Sequence, residues 1–381
     1  MGGDFSRITF QPGKRFAAVL LQQGRVQLDS DWNEADAIRE HERRILVRDL
    51  FGHAAFVGDS FALSAAGERL TVAAGHAWVD GLLCELPADV DADDQPDMPG
   101  SRTPTAPGAY LAWLEAWQRE VSATQDPTLL DPALGGSDTA TRRATVVQVR
   151  FRPITADNRR RRPDLSIPDY TADVTLAVHG GYDGAENRLY RVQVHDSGKE
   201  PTFTWSRNNG STAAAVRSWA GRDLRLAGGS GHFAPGDLLE VVDRASVLGR
   251  RPGLLVRVER AKEDVLAVTG DLPDHPVDPL VRRWDGGPVP VQARGAGPIE
   301  LEAGLSVEFS GSTFRSGDFW VFSARPADRS VRWTDAADAA GPRPPHGIEV
   351  VGAPLAIVDR RPAGWTVRRD LRTPLRPPGR P

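Results

Sequence analysis

Glycine and proline are spread along the whole chain so densely that long helices are excluded for most of it. Of 381 residues, 38 are glycine and 30 are proline, together about 18% against a typical value of about 12%. Turn pairs recur at Asn209-Gly210, Gly228-Gly229, Pro235-Gly236 and Gly286-Gly287. A chain that turns this often is typical of short strands, so the sequence predicts a mainly β fold of several small sandwich-like or barrel-like units.

Alternation of apolar and polar residues marks individual strands. In the segment 145–152, alternation predicts Val147, Val149 and Phe151 on the inward face and Gln148, Arg150 and Arg152 on the outward face. The segments 190–195 and 254–259 alternate in the same way. The segment 110–121 fits either a helix or a strand, because Trp113 and Trp117 are four residues apart. The Pro-Gly pair before it favours a strand.

One long helix is predicted near the N-terminus, over residues 32–51. Asp31 and Glu34 have the spacing of a capping box, and Gly52 suits the residue that follows a helix. The apolar stripe through Ile38 and Ile45 is narrow and the charged face is wide. Such a helix packs either along another chain or on its own domain, and the sequence leaves both open.

The composition changes along the chain and predicts four parts. These are an N-terminal segment with the helix (1–55), a first β-rich domain (56–170), a second β-rich region (171–366) and a C-terminal arm rich in proline and arginine (367–381). The second region contains an internal echo, in which segments 233–241 and 314–321 each join a Phe, a Gly-Asp turn and an apolar strand. The echo indicates either a shared hairpin design or two independent turns.

Charge and hydropathy exclude several classes of function. The net charge is −4, so bulk attraction to nucleic acid or to a membrane surface is not expected. No stretch reaches the ~18 apolar residues that a membrane-spanning helix needs. The first residues lack a basic region followed by an apolar run, so we expect synthesis in the cytoplasm without a signal peptide.

No catalytic, cofactor or metal site is predicted. The single cysteine, Cys84, excludes an intrachain disulfide and a cysteine-based zinc site, and no two histidines have helical metal-ligand spacing. The acidic loop 89–94 is either a calcium loop or a solvated loop, and it lacks the Gly and Glu of an EF-hand. Tryptophans such as Trp205, Trp219 and Trp320 either stack on sugars or fill the core. A pair of carboxylates for glycan hydrolysis is left open.

Two stretches are more specific than these features. In residues 3–34, Gly24-Arg25-Val26 leads into Asp31-Trp32-Asn33-Glu34. In residues 110–142, Trp117-Gln118-Arg119 precedes Asp126-Pro127 and then Leu134-Gly135-Gly136-Ser137-Asp138-Thr139. Both resemble an uncharacterised bacterial family and related phage tail and baseplate proteins, in which a Leu occupies the position of Trp32. Further matches at residues 203–211, 317–320 and 341–348 extend the resemblance over almost the whole chain.

The resemblance implies a structural part of a phage-tail-like contractile particle, near the baseplate, the spike or the fibre attachment. No catalytic residue is carried over with it. We therefore expect a non-enzymatic subunit that binds other protein subunits, as a homo-oligomer or a symmetric ring or trimer. A glycan-recognition module and a carboxylate-based glycan hydrolase are the alternatives. The expected interface residues are in the helix, a basic loop and the arm: Trp32, Ile38, Ile45, Arg159, Arg160, Arg161, Arg162, Arg368, Arg369, Arg372 and Arg376.

Overall fold

The computed structural model describes residues 9–154, 156–157, 162–272, 276–291, 297–334 and 341–375, with the side chains of 156–157 and 162–163 left out. Strands make up 46% of the residues that the structure describes, and helices 11%. The predicted fold class is therefore confirmed: the protein is mainly β, with a six-stranded closed barrel, several open sheets and one long N-terminal helix.

The helices are α1 (Asp29–Phe51) and α2 (Arg244–Leu248), with short 3-10 turns at Pro12–Lys14, Pro127–Leu129 and Pro132–Leu134. The strands, in chain order, are β1 (Ala54–Val57), β2 (Leu63–Ala66), β3 (Arg69–Val72), β4 (Gly75–Val79), β5 (Leu82–Leu86), β6 (Val90–Asp91), β7 (Gly108–Val121), β8 (Leu130–Asp131), β9 (Ser137–Asp138), β10 (Arg142–Pro153), β11 (Ala156–Asp157), β12 (Arg162–Pro163), β13 (Thr175–His179), β14 (Arg188–Asp196), β15 (Thr202–Ser206), β16 (Ala213–Ala220), β17 (Asp223–Leu226), β18 (Leu238–Val242), β19 (Leu254–Lys262), β20 (Val265–Val268), β21 (Leu280–Trp284), β22 (Gly286–Pro290), β23 (Ile299–Glu300), β24 (Ser306–Ser310), β25 (Phe319–Arg325), β26 (Ser330–Trp333), β27 (Val350–Arg361), β28 (Gly364–Asp370) and β29 (Pro374–Leu375).

Helix α1 begins three residues earlier than the sequence predicts. The carboxylate of Asp31 accepts a hydrogen bond from the backbone N–H of Leu28, at 3.2 Å. Leu28 therefore takes the N-cap position and Asp31 the third helical position, which forms half of a capping box. The predicted end is confirmed, since Gly52 has φ +76° and its N–H donates to the carbonyl of Arg48 at 2.8 Å.

The chain forms two compact units, and each is built from separate stretches of sequence. The first contains residues 1–38, 120–144 and 171–348, and the second contains 39–119, 145–170 and 349–381. The expected parts were continuous, whereas the chain passes from one unit to the other several times. The strand predicted over 110–121 is β7, which pairs along most of its length with β27 from the far end of the sequence.

The second unit carries two four-stranded sheets, in the orders β10-β7-β27-β28 and β29-β1-β4-β5. Apolar side chains from β1, β4, β5, β7 and β27 form its core, including Phe56, Val79, Leu114 and Val358. The prediction of a free C-terminal arm from residue 367 is wrong for the described residues. Residues 367–370 belong to β28, and Pro374–Leu375 pairs in parallel with Phe56 and Val57 of β1.

The first unit combines a five-stranded sheet, in the order β22-β15-β14-β25-β26, with the barrel β16-β17-β20-β19-β18-β21. Each has its own core: Tyr190, Val192, Trp320 and Phe322 lie in that of the sheet, and the barrel is filled by branched residues. Gln148 of β10, expected on an outward face, is 0% exposed, and Arg191, which alternates with core residues of β14, is only 1% exposed. Strand β14 is central in its sheet, and its second face is covered as well as its first.

The two Gly-Asp turns of the internal echo have the same backbone geometry. In each turn, the glycine N–H donates to the backbone carbonyl of a strand residue. The N–H of that same residue donates to the backbone carbonyl of the aspartate. The bonds are Gly236 to Val258 (2.8 Å), Val258 to Asp237 (3.0 Å), Gly317 to Val194 (2.9 Å) and Val194 to Asp318 (2.9 Å). Both glycines have positive φ, +94° and +92°, so the echo is a shared turn design that starts β18 in the barrel and β25 in the sheet.

Candidate functional site

A long loop precedes α1, and both of its ends are held at the first turns of the helix. Thr9 donates a hydrogen bond from Oγ1 to the carboxylate of Glu34, and Leu28 adjoins the helix start. Between these points, none of residues 15–28 lies in a helix or a strand. A tight turn at Gln22–Arg25, with Gly24 at φ +72°, reverses the chain. We call residues 10–28 the N-terminal loop.

The N-terminal loop and α1 expose most of the large apolar side chains that are exposed in the described part of the chain. Ten of the thirteen lie between residues 16 and 51; Leu134, Leu254 and Val277 are the others. Leu20 and Val26 are the most exposed, at 85% and 84%. The ten are Phe16, Leu20, Leu21, Val26, Leu28, Trp32, Ile45, Leu46, Leu50 and Phe51. Concentrated exposed apolar side chains indicate an interaction surface, and loops of this length without secondary structure are usually functional.

The helix residues predicted to form an interface divide into two groups. Trp32 is 65% exposed and Ile45 is 37% exposed, so both are accessible to a partner. Ile38 is 1% exposed and belongs to the interior. The prediction is therefore corrected for Ile38, which the helix buries in its own chain, as it does Val47.

The charges of the N-terminal loop and the helix have opposite signs. The N-terminal loop carries Lys14, Arg15 and Arg25 and no acidic residue. The first eight residues of α1, 29–36, carry four acidic residues and no basic one. Within these eight, Asp29, Trp32 and Asp36 recur at helical spacing on one face, and all three are exposed. Trp32 is thus an exposed aromatic side chain with acidic residues on either side of it. The N-terminal loop that precedes it in sequence is apolar and basic.

The predicted basic interface residues have different positions. Arg159, Arg160, Arg161 and Arg376 lie outside the described residues, and Arg162 is described only through its backbone in β12. Arg368 binds Asp359 of β27 through two hydrogen bonds, at 3.0 and 2.5 Å. Arg372 is 6% exposed at its side chain and donates to the carbonyl of Ser60 at 2.6 Å. These two arginines hold their own unit together, whereas Arg369 is exposed.

The motif residues that carry the family resemblance include several turn positions. Asp126 accepts hydrogen bonds from the hydroxyl and the N–H of Thr128, at 2.6 and 3.1 Å, and these bonds lower the pKa of the Asp126 carboxyl. Gly135 and Gly136 both have positive φ and lie between β8 and β9. At these positions the motif specifies local backbone shape.

A buried polar network in the second unit was missed by the sequence analysis. Glu115 on β7 is 2% exposed. It accepts hydrogen bonds from Arg150 at 2.9 Å and from the Tyr170 hydroxyl at 2.5 Å, and that hydroxyl accepts one from the indole of Trp113 at 2.9 Å. Alternation along β7 does not reveal it, because the strand is buried on both faces.

The residues considered for sugar binding and for calcium have structural contacts. Trp205 and Trp320 are 7% and 0% exposed within the core of the five-stranded sheet, and Trp219 packs against the barrel core. In the acidic loop, Asp89 accepts from the N–H of Ala74 at 2.8 Å and Asp91 binds Arg69 at 2.8 Å. Among the described residues, no three His, Cys, Asp or Glu side chains are grouped to hold a metal ion. In the same part of the chain, neither helix combines the length and apolar character that a membrane span requires.

The comparisons with known proteins cover the N-terminal part of the chain. Residues 1–166 match the model of DUF6519, a family of unknown function. The match includes both of the more specific stretches, 3–34 and 110–142. The resemblance was expected over almost the whole chain, and its further segments beyond residue 200 lie outside the match. No curated protein and no solved structure matches the chain. The N-terminal loop and α1 thus lie within a region that the chain shares with an uncharacterised family.

Proposed function

We propose that this chain is a non-enzymatic structural subunit that assembles with further copies of itself. The N-terminal loop of one copy packs on the exposed face of α1 of the next. The single observation that carries the proposal is the concentration of exposed apolar side chains in residues 16–51. Burying them on a partner would be favourable by about 25 cal/mol per Å² of apolar surface.

Charge complementarity favours a second copy as the occupant of this surface. Three basic residues of the N-terminal loop, Lys14, Arg15 and Arg25, face no acid within the loop itself. The acidic first turns of α1 on a neighbour provide the opposite charge around Trp32. Complementary charges fix the register of an interface, and apolar contacts supply most of its free energy.

The size of the surface also suits self-association. A stable interface takes about 20–30 residues on each partner. In a reciprocal exchange, each copy contributes both its N-terminal loop and the exposed residues of α1, which together are of that order. A contact between two different surfaces closes into a ring when the rotation permits, and a reciprocal exchange of loops gives a two-fold dimer. The proposal therefore includes a homo-oligomer, of which a ring or a trimer is one form.

The setting of this assembly is part of the same proposal. The resemblance to phage tail and baseplate proteins suggests a phage-tail-like contractile particle, in the region of the baseplate, the spike or the fibre attachment. This part rests on the quoted motifs alone. Partners in such a particle would be other protein subunits in addition to further copies of this chain.

The glycan-recognition alternative has less support. Of the tryptophans, Trp32 is the one that is exposed among the described large apolar side chains, whereas a sugar platform commonly uses aromatic faces in a groove. The hydrolase alternative requires two carboxyls separated by about 5–10 Å in a cleft, and no observation on the described residues favours such a pair. Assembly is thus the function that the exposed surface supports best.

The proposal is tested by changing the loop and measuring mass in solution. The double variant Leu20→Ser, Val26→Ser removes the two most exposed apolar side chains, and light scattering coupled to gel filtration should show dissociation to a smaller species. The matched control is Leu134→Ser, Val277→Ser, which makes the same chemical changes at exposed positions outside residues 16–51. A wild-type chain that is monomeric, or equal masses for both double variants, would contradict the proposal.

A further inference from the structure

A cavity of about 390 Å³ in the first unit is lined by an unusual number of arginines. Its wall is formed where the start of β14, the turn after β15, the Gly-Asp turn before β18 and the strands β19 and β21 meet. The charged lining residues are Arg188, Arg207, Arg257, Arg283, Asp237 and Asp285. The volume lies within the range of small-molecule sites.

One side of the cavity is a fixed network. Arg207 binds Glu302 at 2.7 Å, and its Nε lies 3.3 Å from the carboxylate of Asp285. Asp285 also accepts from the backbone N–H of Arg207 at 2.8 Å, and Glu302 accepts from the Tyr190 hydroxyl at 2.8 Å. Burial, together with the bond to Glu302, raises the pKa of Tyr190. Asp285 and Glu302 therefore both bind Arg207. The Nε of Arg207 is buried and lacks a hydrogen bond.

The other side of the cavity has two arginines, each with N–H donors that form no hydrogen bond with the described residues. Arg257 donates one hydrogen bond to the carbonyl of Gly236 at 3.1 Å, and no described carboxylate forms an ion pair with it. Arg283 donates to the carbonyl of His232 at 3.1 Å, and the nearest oxygen of Asp237 is 3.8 Å away, too far for a hydrogen bond. Asp237 is itself used by its turn, since it accepts from the N–H of Ala234 at 2.9 Å.

We propose that this cavity binds a small molecule through a phosphate or carboxylate group, with Arg257 and Arg283 as the contacting cations. A guanidinium has five N–H donors in a planar fork that matches an oxyanion, and each of these two arginines uses one donor on a backbone carbonyl. Arg207, held by its two acids, stabilises the opposite wall. The proposal stands independently of the assembly proposed above.

The test uses isothermal titration calorimetry on the full chain at low ionic strength, with pyrophosphate and citrate as separate probes. The wild type should bind at least one of them at a single site, and the better probe distinguishes phosphate from carboxylate recognition. The double variant Arg257→Gln, Arg283→Gln should bind it about tenfold more weakly or not at all. The matched control, Arg222→Gln, Arg260→Gln, removes two exposed arginines of the same barrel that do not line the cavity, and its affinity should equal that of the wild type.

A second measurement distinguishes loss of binding from misfolding of the double variant. The single variant Arg257→Gln changes an exposed side chain and should melt at the wild-type temperature, while its affinity falls measurably. The better probe should raise the melting temperature of the wild type and the control, but not that of the double variant. Absence of binding of both probes to the wild type would overturn the proposal. So would equal affinities for the wild type and the double variant.

Discussion

Arg368 on β28 donates two hydrogen bonds to the carboxylate of Asp359 on the adjacent strand β27, at 3.0 and 2.5 Å. Asp359 is 5% exposed, so its charge depends on this guanidinium and on that of Arg361 at 3.6 Å. Paired charge of this kind is the condition under which a carboxylate is tolerated in an interior. The contact explains why a stretch rich in arginine and proline is part of a sheet.

Arg368→Ala should lower the free energy of unfolding by about 1–3 kcal/mol, because it leaves a buried carboxylate with one distant partner. The measurement is chemical denaturation of the purified chain. The control is Arg369→Ala, the exposed neighbour on the same strand, which should change the value by less than about 0.5 kcal/mol. Equal effects of the two substitutions would refute the role given to the pair.

The C-terminal strands show a limit of sequence analysis. Local composition at residues 367–375 indicates an extended, basic segment, and extended is correct for its backbone. The local pattern does not show which strands this segment pairs with. β29 pairs with β1, and β28 pairs with β27, which pairs with β7 on its other side. The pairings of β29 with β1 and of β27 with β7 join strands far apart in sequence and leave no signal in a short window. The local hairpin of β27 and β28 was also missed, so the segment was expected to be free.

Ile38 and Ile45 should behave differently, although the sequence places both on one apolar stripe. Ile38→Asp puts a carboxylate at a position that is 1% exposed, and a loss of several kcal/mol or failure to fold is expected. Ile45→Asp, at 37% exposure, should change the melting temperature little and weaken self-association. Thermal unfolding and light scattering on both variants make the comparison, and a large loss of stability in Ile45→Asp would contradict it.

Asp318 gives the fold a defined pH dependence. Burial raises the pKa of its carboxyl to about 6 from an ordinary value of 3.8, against the opposing effects of Arg315, the Ile348 N–H and Arg250, and its Oδ2 is buried without a hydrogen bond. The folded chain thus holds this proton more tightly than the unfolded chain does. The stabilisation is complete below the ordinary pKa and is lost as the pH rises through about 6.

Asp318→Asn should therefore stabilise the protein at about pH 7.5, by on the order of 3 kcal/mol at most, and have little effect near pH 4. Denaturation of the variant and the wild type across this interval measures the difference. Asp328→Asn provides the opposite case, because hydrogen bonds from Ser330 lower the pKa of Asp328, and it should give no gain near neutral pH. A gain for Asp318→Asn that is the same at both pH values would exclude burial of the charge as its cause.

Period-two patterning located β10, β14 and β19 but not which of their faces are buried. Val192 and Val194 of β14 lie in the core, and Arg191 between them is buried too, with its guanidinium 3.7 Å from the ring centre of Phe319. An arginine in an alternating pattern normally faces solvent, and only the central position of β14 reverses this. A segment preceding the helix was predicted at the N-terminus, but the exposure of its apolar side chains was not, because its run of Val19, Leu20 and Leu21 resembles an ordinary buried segment.

The central claim, that the N-terminal loop of one copy binds α1 of another, is tested most directly by exchanging charges between two variants. One carries Lys14→Glu, Arg15→Glu and Arg25→Glu, and the other carries Asp29→Lys, Asn33→Lys and Asp36→Lys. Each variant places like charges on both surfaces, so each alone should be smaller in solution than the wild type. Their equimolar mixture restores opposite charges at every contact between one variant and the other.

The deciding measurement is sedimentation velocity of the two variants, separately and mixed, after thermal unfolding has shown that both are folded. The account predicts that the mixture sediments faster than either variant alone at low salt, and that this gain is lost as the Debye length falls from ~10 Å at 0.1 M to ~3 Å at 1 M salt. A mixture that sediments as the sum of its separate components, beside a wild type that self-associates, would contradict the account.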